Sequence, residues 1–386
     1  MQESTIWLGK SKNYNYSAQN LLEFGSKYIK IEPNMAIFEL EMSRKQINII
    51  EFIEQNPGSS SSAIQLVFKD SHSLATIKRM LQELVVSEVL EKKGAAKNTR
   101  YYIHQSYPVL KKVDVEEYFQ LETDKRKISE RFNLELSKNI LPHTKIFTVS
   151  ELNFLQQLQN EFSERVAALT SFEYNKEMER LAIDLSWKSS QIEGNTYSLL
   201  ETEQLLLEKK TAAGKSRDEA TMLLNHKEAV DFIVEQPDYM YPLTIKKLED
   251  LHSILIKDLA VSKNIRTKRV GISGTNYVPL DNEYQIREAL EAMCHLVNEK
   301  ENVFEKALLS LLMVSYIQPF MDGNKRTARI ICNAILLHFK YCPLSFRTVD
   351  SIDYKKAILL FYEINNLSAF KKMFIEQYEF AVNTYF

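Results

Sequence analysis

Chemistry-bearing residues are densest between Tyr316 and Arg329. Here an apolar helical pattern that begins near Phe304 breaks into a short polar loop, then resumes through Ile330, Ile331, Ala334, Ile335 and Leu337. Pro319 stops the first helix, Gly323 permits a tight turn, and Asn324 is suited to cap the second helix. A helix N-terminus with free N–H groups, joined by Lys325 and Arg326, is an anion site by construction. Arg329 lies three residues beyond Arg326, so both guanidinium groups can reach neighbouring phosphates from one side of the helix. Asp322 adds a hard oxygen ligand, which suits Mg²⁺ bridging nucleotide phosphates rather than zinc. Residue types and spacing together read as a nucleotide-phosphate cradle.

The same residues resemble the Fic motif, HPFxDGNGRxxR, with Pro319, Phe320, Asp322, Gly323, Asn324, Arg326 and Arg329 in matching positions. Members of the Fic/Doc (Fido) family move AMP, or less often another phosphate-containing group, onto a hydroxyl of a protein target. The resemblance implies ATP and Mg²⁺ as ligands. Gly323, Asn324, Lys325, Arg326 and Arg329 would hold the nucleotide, Asp322 the metal, and a protein target would offer a Ser, Thr or Tyr hydroxyl. Two positions depart from the motif. Gln318 stands where the family has its histidine base; a neutral amide accepts no proton near pH 7, so base assistance worth about 10²–10⁴ in rate is missing. Lys325 replaces the second glycine, a variant similar to the Doc branch, where phosphate rather than AMP is transferred. Three readings stay open: an AMP-transferring scaffold impaired at its base, a Doc-like phosphate transferase, and a catalytically silent nucleotide-binding transcriptional regulator or protein-interaction module.

Further stretches extend the resemblance. Trp187 to Asn195 is similar to the family's (S/T)xxxE(G/N) inhibitory helix, with Ser189, Glu193 and Gly194 filling the pattern. Ser189 and Glu193, four apart, share a helix face, and Gly194 can end that helix. The resemblance implies that Glu193 pairs with Arg329 and keeps the γ-phosphate from a productive position. In Arg266 to Leu280, Val270, Ile272 and the turn Gly274-Thr275-Asn276 read as a small hairpin. It is similar to the family's flap, with Thr275, Asn276, Tyr277 and Val278 as the target-docking strip. His252, in a helical pattern with Leu248, Leu251 and Leu255, reads as a packing histidine. Tyr341 to Arg347 and Tyr354 are similar to the segment that closes around the nucleoside, with Tyr354 beside the purine.

These residues need a scaffold, and 386 residues with 45% hydrophobic and 26% charged side chains can bury at least one large core across two or three domains. Nine glycines, nine prolines and long 3.6-residue periodicities predict a mainly α fold: a helical Fic domain with a β-hairpin flap, preceded by a winged-helix domain. The expected division is an N-terminal extension at 1–42, a winged helix-turn-helix at 43–105, a charged helical connector at 106–148, and the Fic domain with its inhibitory helix at 149–386. Within 43–105, Ser43, Ser60 to Ser62 and Ser73 open three helices. After Val89-Leu90, a turn at Glu91-Lys92-Lys93-Gly94 leads to Arg100-Tyr101-Tyr102-Ile103. A winged helix would present Thr76, Lys78 and Arg79 to the major groove, and Lys92, Lys93, Lys97 and Arg100 from the wing. Nine basic against seven acidic side chains between 41 and 104 is a mild balance, so protein contact or dimerisation stands beside DNA as its use. Formal net charge is −2, which excludes a global basic field. Cys294, Cys332 and Cys342 lack the spacing of a disulfide framework or zinc site. The apolar stretch Ala307 to Ile317 is too short to span a bilayer, and the first residues lack a signal-peptide core. A cytoplasmic protein without a membrane partner is expected, and a homodimer would suit paired half-sites.

Overall fold

The computed structural model describes residues 42–386, so the expected N-terminal extension lies outside the described residues but for its last. The chain divides into two units, Met1–Ile47 and Asn48–Phe386. Helix α1 (Arg44–Gln55) begins in the first and runs into the second. Helices α2 (Ser61–Val67) and α3 (Leu74–Val86) open where Ser60 and Ser73 accept the N–H groups of Ala63 and Thr76. Ile77, Met80, Leu81 and Leu84 form the buried face of α3, which is the spacing its sequence predicts.

Strands β1 (Leu90–Lys93) and β2 (Arg100–Ile103) then form an antiparallel hairpin with Leu90 opposite Ile103 and Lys93 opposite Arg100. The reversal therefore occupies 94–99 rather than the expected Glu91 to Gly94, because pairing carries the ladder through Lys93. An isolated bridge joins Ser59 to Tyr101. The connector is less helical than its charge pattern predicts. Between 106 and 148 only α4 (Tyr107–Leu110) and α5 (Val115–Gln120) are regular α-helices. Tertiary pairing claims the rest: Ser129 N–H reaches Glu363 O at 2.7 Å, and Glu130 O accepts Val278 N–H at 2.9 Å.

From 149 onward helix follows helix, as expected. Helices α6 (Val149–Ala168), α7 (Ser171–Ile192), α8 (Leu199–Glu208) and α9 (Arg217–Glu235) each begin with a reciprocal capping box, Thr148 with Glu151, Thr170 with Glu173, Ser198 with Glu201 and Ser216 with Glu219. There follow α10 (Ile245–Leu255), α11 (Glu283–Glu299), α12 (Val303–Ile317), α13 (Asn324–His338), α14 (Ser351–Ile364) and α15 (Ser368–Tyr385). Every residue of α12 from Phe304 to Ile317 is buried, so this helix is the core's axis. Helix α13 packs directly on it. The 318–323 loop joining these two helices is thus anchored at both ends in the most buried part of the molecule. No helix among the described residues is long and apolar enough to cross a membrane.

Candidate functional site

Helix α12 ends with Gln318 in the left-handed conformation (φ 52°), its N–H bonded to Val314 O at 3.1 Å. Arg266, 2% exposed, sits under this end. Its Nε donates to Gln318 O at 2.6 Å, Nη1 to Lys268 O at 2.8 Å and Nη2 to Leu280 O, while its N–H reaches Pro319 O at 2.9 Å. Carbonyl dipoles alone satisfy this buried cation. One side chain therefore ties the helix end to both ends of the 268–280 segment. No local sequence signal marks Arg266 for this role, because a basic cluster at 266–269 signals only surface charge.

His252 braces the other flank. It is buried, its Nε2 lies 2.9 Å from Asp322 O, and its ring stacks on Phe320 with centroids 3.6 Å apart and planes 2° from parallel. It is the packing histidine the sequence suggests, but what it packs against is the polar loop itself. Gly323 adopts φ 82°, a left-handed conformation that favours glycine, with a notional Cβ in ordinary contact 3.4 Å from His252 Nε2.

Asn324 does not cap α13. Gly323 is the N-cap residue, and no side chain caps this helix. Asn324 instead turns back over the loop. Its Oδ1 accepts Phe320 N–H at 2.8 Å, and its Nδ2 donates to Phe320 O at 2.8 Å and Gln318 Oε1 at 3.1 Å. Helix formation from Asn324 itself leaves its side chain free to fasten the loop that precedes it. Gln318 Nε2 donates to Ser315 O at 2.6 Å and to Tyr362 Oη at 3.4 Å, so both ends of its amide have protein partners.

The first turn of α13 has no acidic residue, the reverse of the usual helix preference. Lys325 and Arg326 stand there, with Arg329 one turn on. Arg326 is 1% exposed and reaches Asp322 Oδ2 at 3.4 Å, while its Nε and Nη1 meet no acceptor. Arg329 is fully buried, donating from Nε to Ser189 Oγ and from Nη2 to Ser189 O and Glu193 Oε1, each at 2.8 Å. Lys325 Nζ lies 3.0 Å from Glu193 Oε2. Each oxygen of Glu193 thus faces a different cation. Burial pushes the Glu193 carboxyl up, but Arg329 and Lys325 together outweigh it and hold it below the usual carboxylate range. Glu193 is the last residue of the α7 turn, and Gly194 (φ 97°) releases the chain behind it. The structure brings Ser189, Glu193, Lys325 and Arg329 together across more than 130 residues of sequence.

A cleft of about 190 Å³ opens here, lined by Glu193, residues 270–273, Gln318 and residues 321–326. The 270–278 segment corrects the expected hairpin: its arms do not pair with each other. Gly274 O accepts from Arg126 Nη2 at 2.9 Å, Asn276 Nδ2 reaches Asp124 Oδ1 at 2.9 Å, and Val278 N–H goes to Glu130 O. The connector thus takes the main-chain groups of Gly274 and Val278 and holds the Asn276 side chain. Of the expected docking strip, Thr275 Oγ1 accepts Tyr277 N–H at 3.1 Å, and Tyr277 is buried with its hydroxyl on Tyr316 O at 3.0 Å. Only 270–273 faces the cleft. Tyr354, expected beside a purine, has no exposed surface; it lies beneath Arg329, whose guanidinium carbon is 5.2 Å from its ring centroid. Along α3 and the β1–β2 hairpin, Lys78, Arg79, Lys92, Lys93 and Arg100 are exposed and Thr76 is half-buried. Lys93 pairs with Glu91 at 2.8 Å, and Arg79 lies 4.0 Å from Glu83.

The donor set fits a nucleotide's phosphates: orphaned buried guanidinium N–H groups, an uncapped helix N-terminus and a lysine. Asp322, 65% exposed, is the carboxylate beside them, and no cluster of three or more metal-ligating side chains exists among the described residues. A Mg²⁺ ion here would rest on Asp322 and phosphate oxygens, a normal arrangement for that ion.

Residues 242–336 match the family model described as the Fic/DOC family. A protein adenylyltransferase Fic of Nematostella vectensis is 29% identical over 175 residues, 44% of this chain and 40% of that protein. Its namesake in Drosophila grimshawi is 26% identical over 157 residues, 40% of this chain and 32% of the relative. The chain therefore spans 40% or less of these relatives' length. Among solved structures, Fic-1 of C. elegans (residues 134–508) aligns with a TM-score of 0.54 at 20% identity, covering 61% of this chain and 72% of that one. A Fic domain containing signaling protein from Bacteroides thetaiotaomicron aligns with a TM-score of 0.51 at 18% identity, covering 60% and 94%. Identities this low speak to the fold alone. The loop that gathers these cations, the start of the helix that follows it and the 268–280 segment facing them thus lie within residues 242–336, the stretch that is similar to the Fic/DOC family model.

Proposed function

We propose that this protein is a Fic-type nucleotidyltransferase scaffold that binds ATP with Mg²⁺ at 322–329 and transfers AMP to a Ser, Thr or Tyr hydroxyl of a protein target, latent at rest because Glu193 occupies the cations. The single observation that carries this reading is Glu193 held between Arg329 and Lys325 at the mouth of the cleft. A carboxylate there competes with phosphate for the same donors. The cleft is also smaller than the roughly 300–1,000 Å³ of most small-molecule sites, in keeping with a closed resting state.

Once Glu193 swings away, Arg326, Arg329 and the α13 N-terminus would cradle the phosphates, and Asp322 would hold Mg²⁺, whose charge neutralises the phosphate oxygens. The target hydroxyl oxygen would bond to the α-phosphorus as the bond from that phosphorus to the bridging oxygen of the β-phosphate breaks. Pyrophosphate leaves, and the hydroxyl proton passes to solvent, because Gln318 cannot take it. Gln318 therefore slows the reaction without disturbing binding. The free edge at 270–273 is the place for an extended target segment, in preference to 275–278.

A second reading, a silent nucleotide-sensing regulator, draws on the hydrogen-bonded state of Gln318 and on the helix–helix–helix–hairpin module at 43–105. In that reading the module is a winged helix that binds DNA or a partner through Lys78, Arg79, Lys92 and Arg100. The test uses α- and γ-labelled ATP with Mg²⁺ on two proteins carrying Glu193→Gly, one retaining Gln318 and one with Gln318→His. Label from the α position appearing on protein with histidine restored supports AMP transfer; label from the γ position would move the assignment to phosphate transfer. ATP bound but no label in either protein would favour the sensor, and no ATP binding at all would refute the nucleotide site.

A further inference from the structure

Deepening the nucleotide-site reading above and resting on it, we propose that Lys325 has two successive roles: it holds Glu193 in place in the resting state, and once Glu193 departs it binds the outermost phosphate of a nucleoside triphosphate, so that it sets selectivity for triphosphates over monophosphates. Four observations converge on this residue. Its ammonium contacts Glu193 Oε2 at 3.0 Å, while Arg329 takes the other oxygen at 2.8 Å, so the latch has two independent anchors. The anchors differ in kind. Arg329 is immobilised by Ser189 Oγ and Ser189 O, bonds that survive the loss of Glu193. Glu193 is the sole ion-pair or hydrogen-bond partner of Lys325 among the described residues, so opening the latch frees this side chain entirely.

Depth separates the two cations as well. The Lys325 side chain is 28% exposed, that of Glu193 19% and that of Arg329 0%. A ligand entering from solvent meets Lys325 first, and the phosphate farthest from the buried arginines would end beside it. Finally, α13 gains nothing from a lysine in its first turn, since a cation there opposes the helix dipole. Glu193 offsets that cost in the closed state, and a terminal phosphate would offset it in the open one. A long, flexible stem with a compact charge can serve both partners, which the fork of an arginine could not do as freely.

The test is calorimetric titration of the full chain with Mg²⁺–ATP and with AMP, in four forms: unchanged, Lys325→Ala, Glu193→Gly, and both together. Lys325→Gln, which keeps the stem and loses the charge, repeats each comparison. With Glu193 present, removing the lysine charge tightens ATP binding by about two- to fivefold, the range expected for a partly exposed ion pair. With Glu193→Gly, the same change weakens ATP by a similar factor and leaves AMP within about twofold. The sign of the effect thus reverses between backgrounds. Weakening in both backgrounds would leave Lys325 as a phosphate ligand only and overturn the latch role. No change in either would make it a surface lysine, and equal weakening of ATP and AMP would remove the selectivity role. Absence of ATP binding in all four forms would refute the nucleotide site itself, a failure distinct from these.

Discussion

Glu363→Gln should loosen the wall of the cleft from a distance. Glu363 has no exposed surface, and Arg126, with a side chain 4% exposed, reaches its two oxygens at 3.1 and 3.2 Å. The other end of the same guanidinium holds Gly274 O at 2.9 Å and Thr123 Oγ1 at 2.7 Å, and Tyr118 Oη donates to Glu363 Oε2 at 2.8 Å. Neutralising the carboxylate leaves a buried guanidinium uncompensated, a change that costs about 3–5 kcal/mol. The remaining amide oxygen still accepts, which places the loss near the lower end. Replacing both residues, Arg126→Met with Glu363→Met, removes both charges and should recover most of that stability. It cannot restore the Gly274 bond. Loss of that charge-assisted bond, about 1.5–3 kcal/mol, predicts amide exchange roughly ten- to a hundredfold faster across 268–280. Denaturant unfolding reads the first quantity and hydrogen exchange by mass spectrometry the second. If the doubly substituted protein regains stability and its 268–280 exchange matches the unchanged protein, Arg126 is core packing and does not position the loop.

Two further outcomes follow from buried groups around the site. Burial, reinforced by Arg329 and Arg326 at His226 and by Arg326 at His252, lowers the proton affinity of both histidines in the folded chain, whereas the unfolded chain takes up their protons near pH 6.5. Their contribution to stability is therefore complete above about pH 6.5 and lost as pH falls below it, by up to about 1.4 kcal/mol per unit for each; urea midpoints from pH 7.5 to 5 should show this, and His226→Gln should flatten the slope. Arg266→Lys should destabilise almost as much as Arg266→Ala, by about 3 kcal/mol or more, because one ammonium cannot span Gln318 O, Lys268 O and Leu280 O; a lysine variant with an unchanged unfolding midpoint would contradict that account.

Helix order from 149 onward, the burial of Phe304 to Ile317 and the cluster of cations at 325–329 were all legible from local pattern. Capping serines and threonines, apolar periodicity and a proline-glycine loop act over a few residues, so a linear reading reaches them. Even the spacing of Ser189, Glu193 and Gly194 placed a carboxylate at a helix end. Misreadings fell where a local rule met a distant partner. Val270 to Val278 has hairpin chemistry, yet Arg126 and Glu130 bond its main chain at Gly274 and Val278 and Asp124 holds the Asn276 side chain. Asn324 has the chemistry of a cap and instead binds Phe320 and Gln318. Tyr354 has the chemistry of a stacking ring, and tertiary packing places it, fully buried, under Arg329.

By itself, then, the sequence determined which residues could bind an anion and which helices would carry them, since both depend on side-chain type and short-range spacing. Whether Glu193 meets Arg329 and Lys325, whether Arg266 and His252 brace the loop, and which edge of 270–278 stays free were decided only by the tertiary structure. Those contacts join residues far apart in the chain, and their energies exist only after the core has packed.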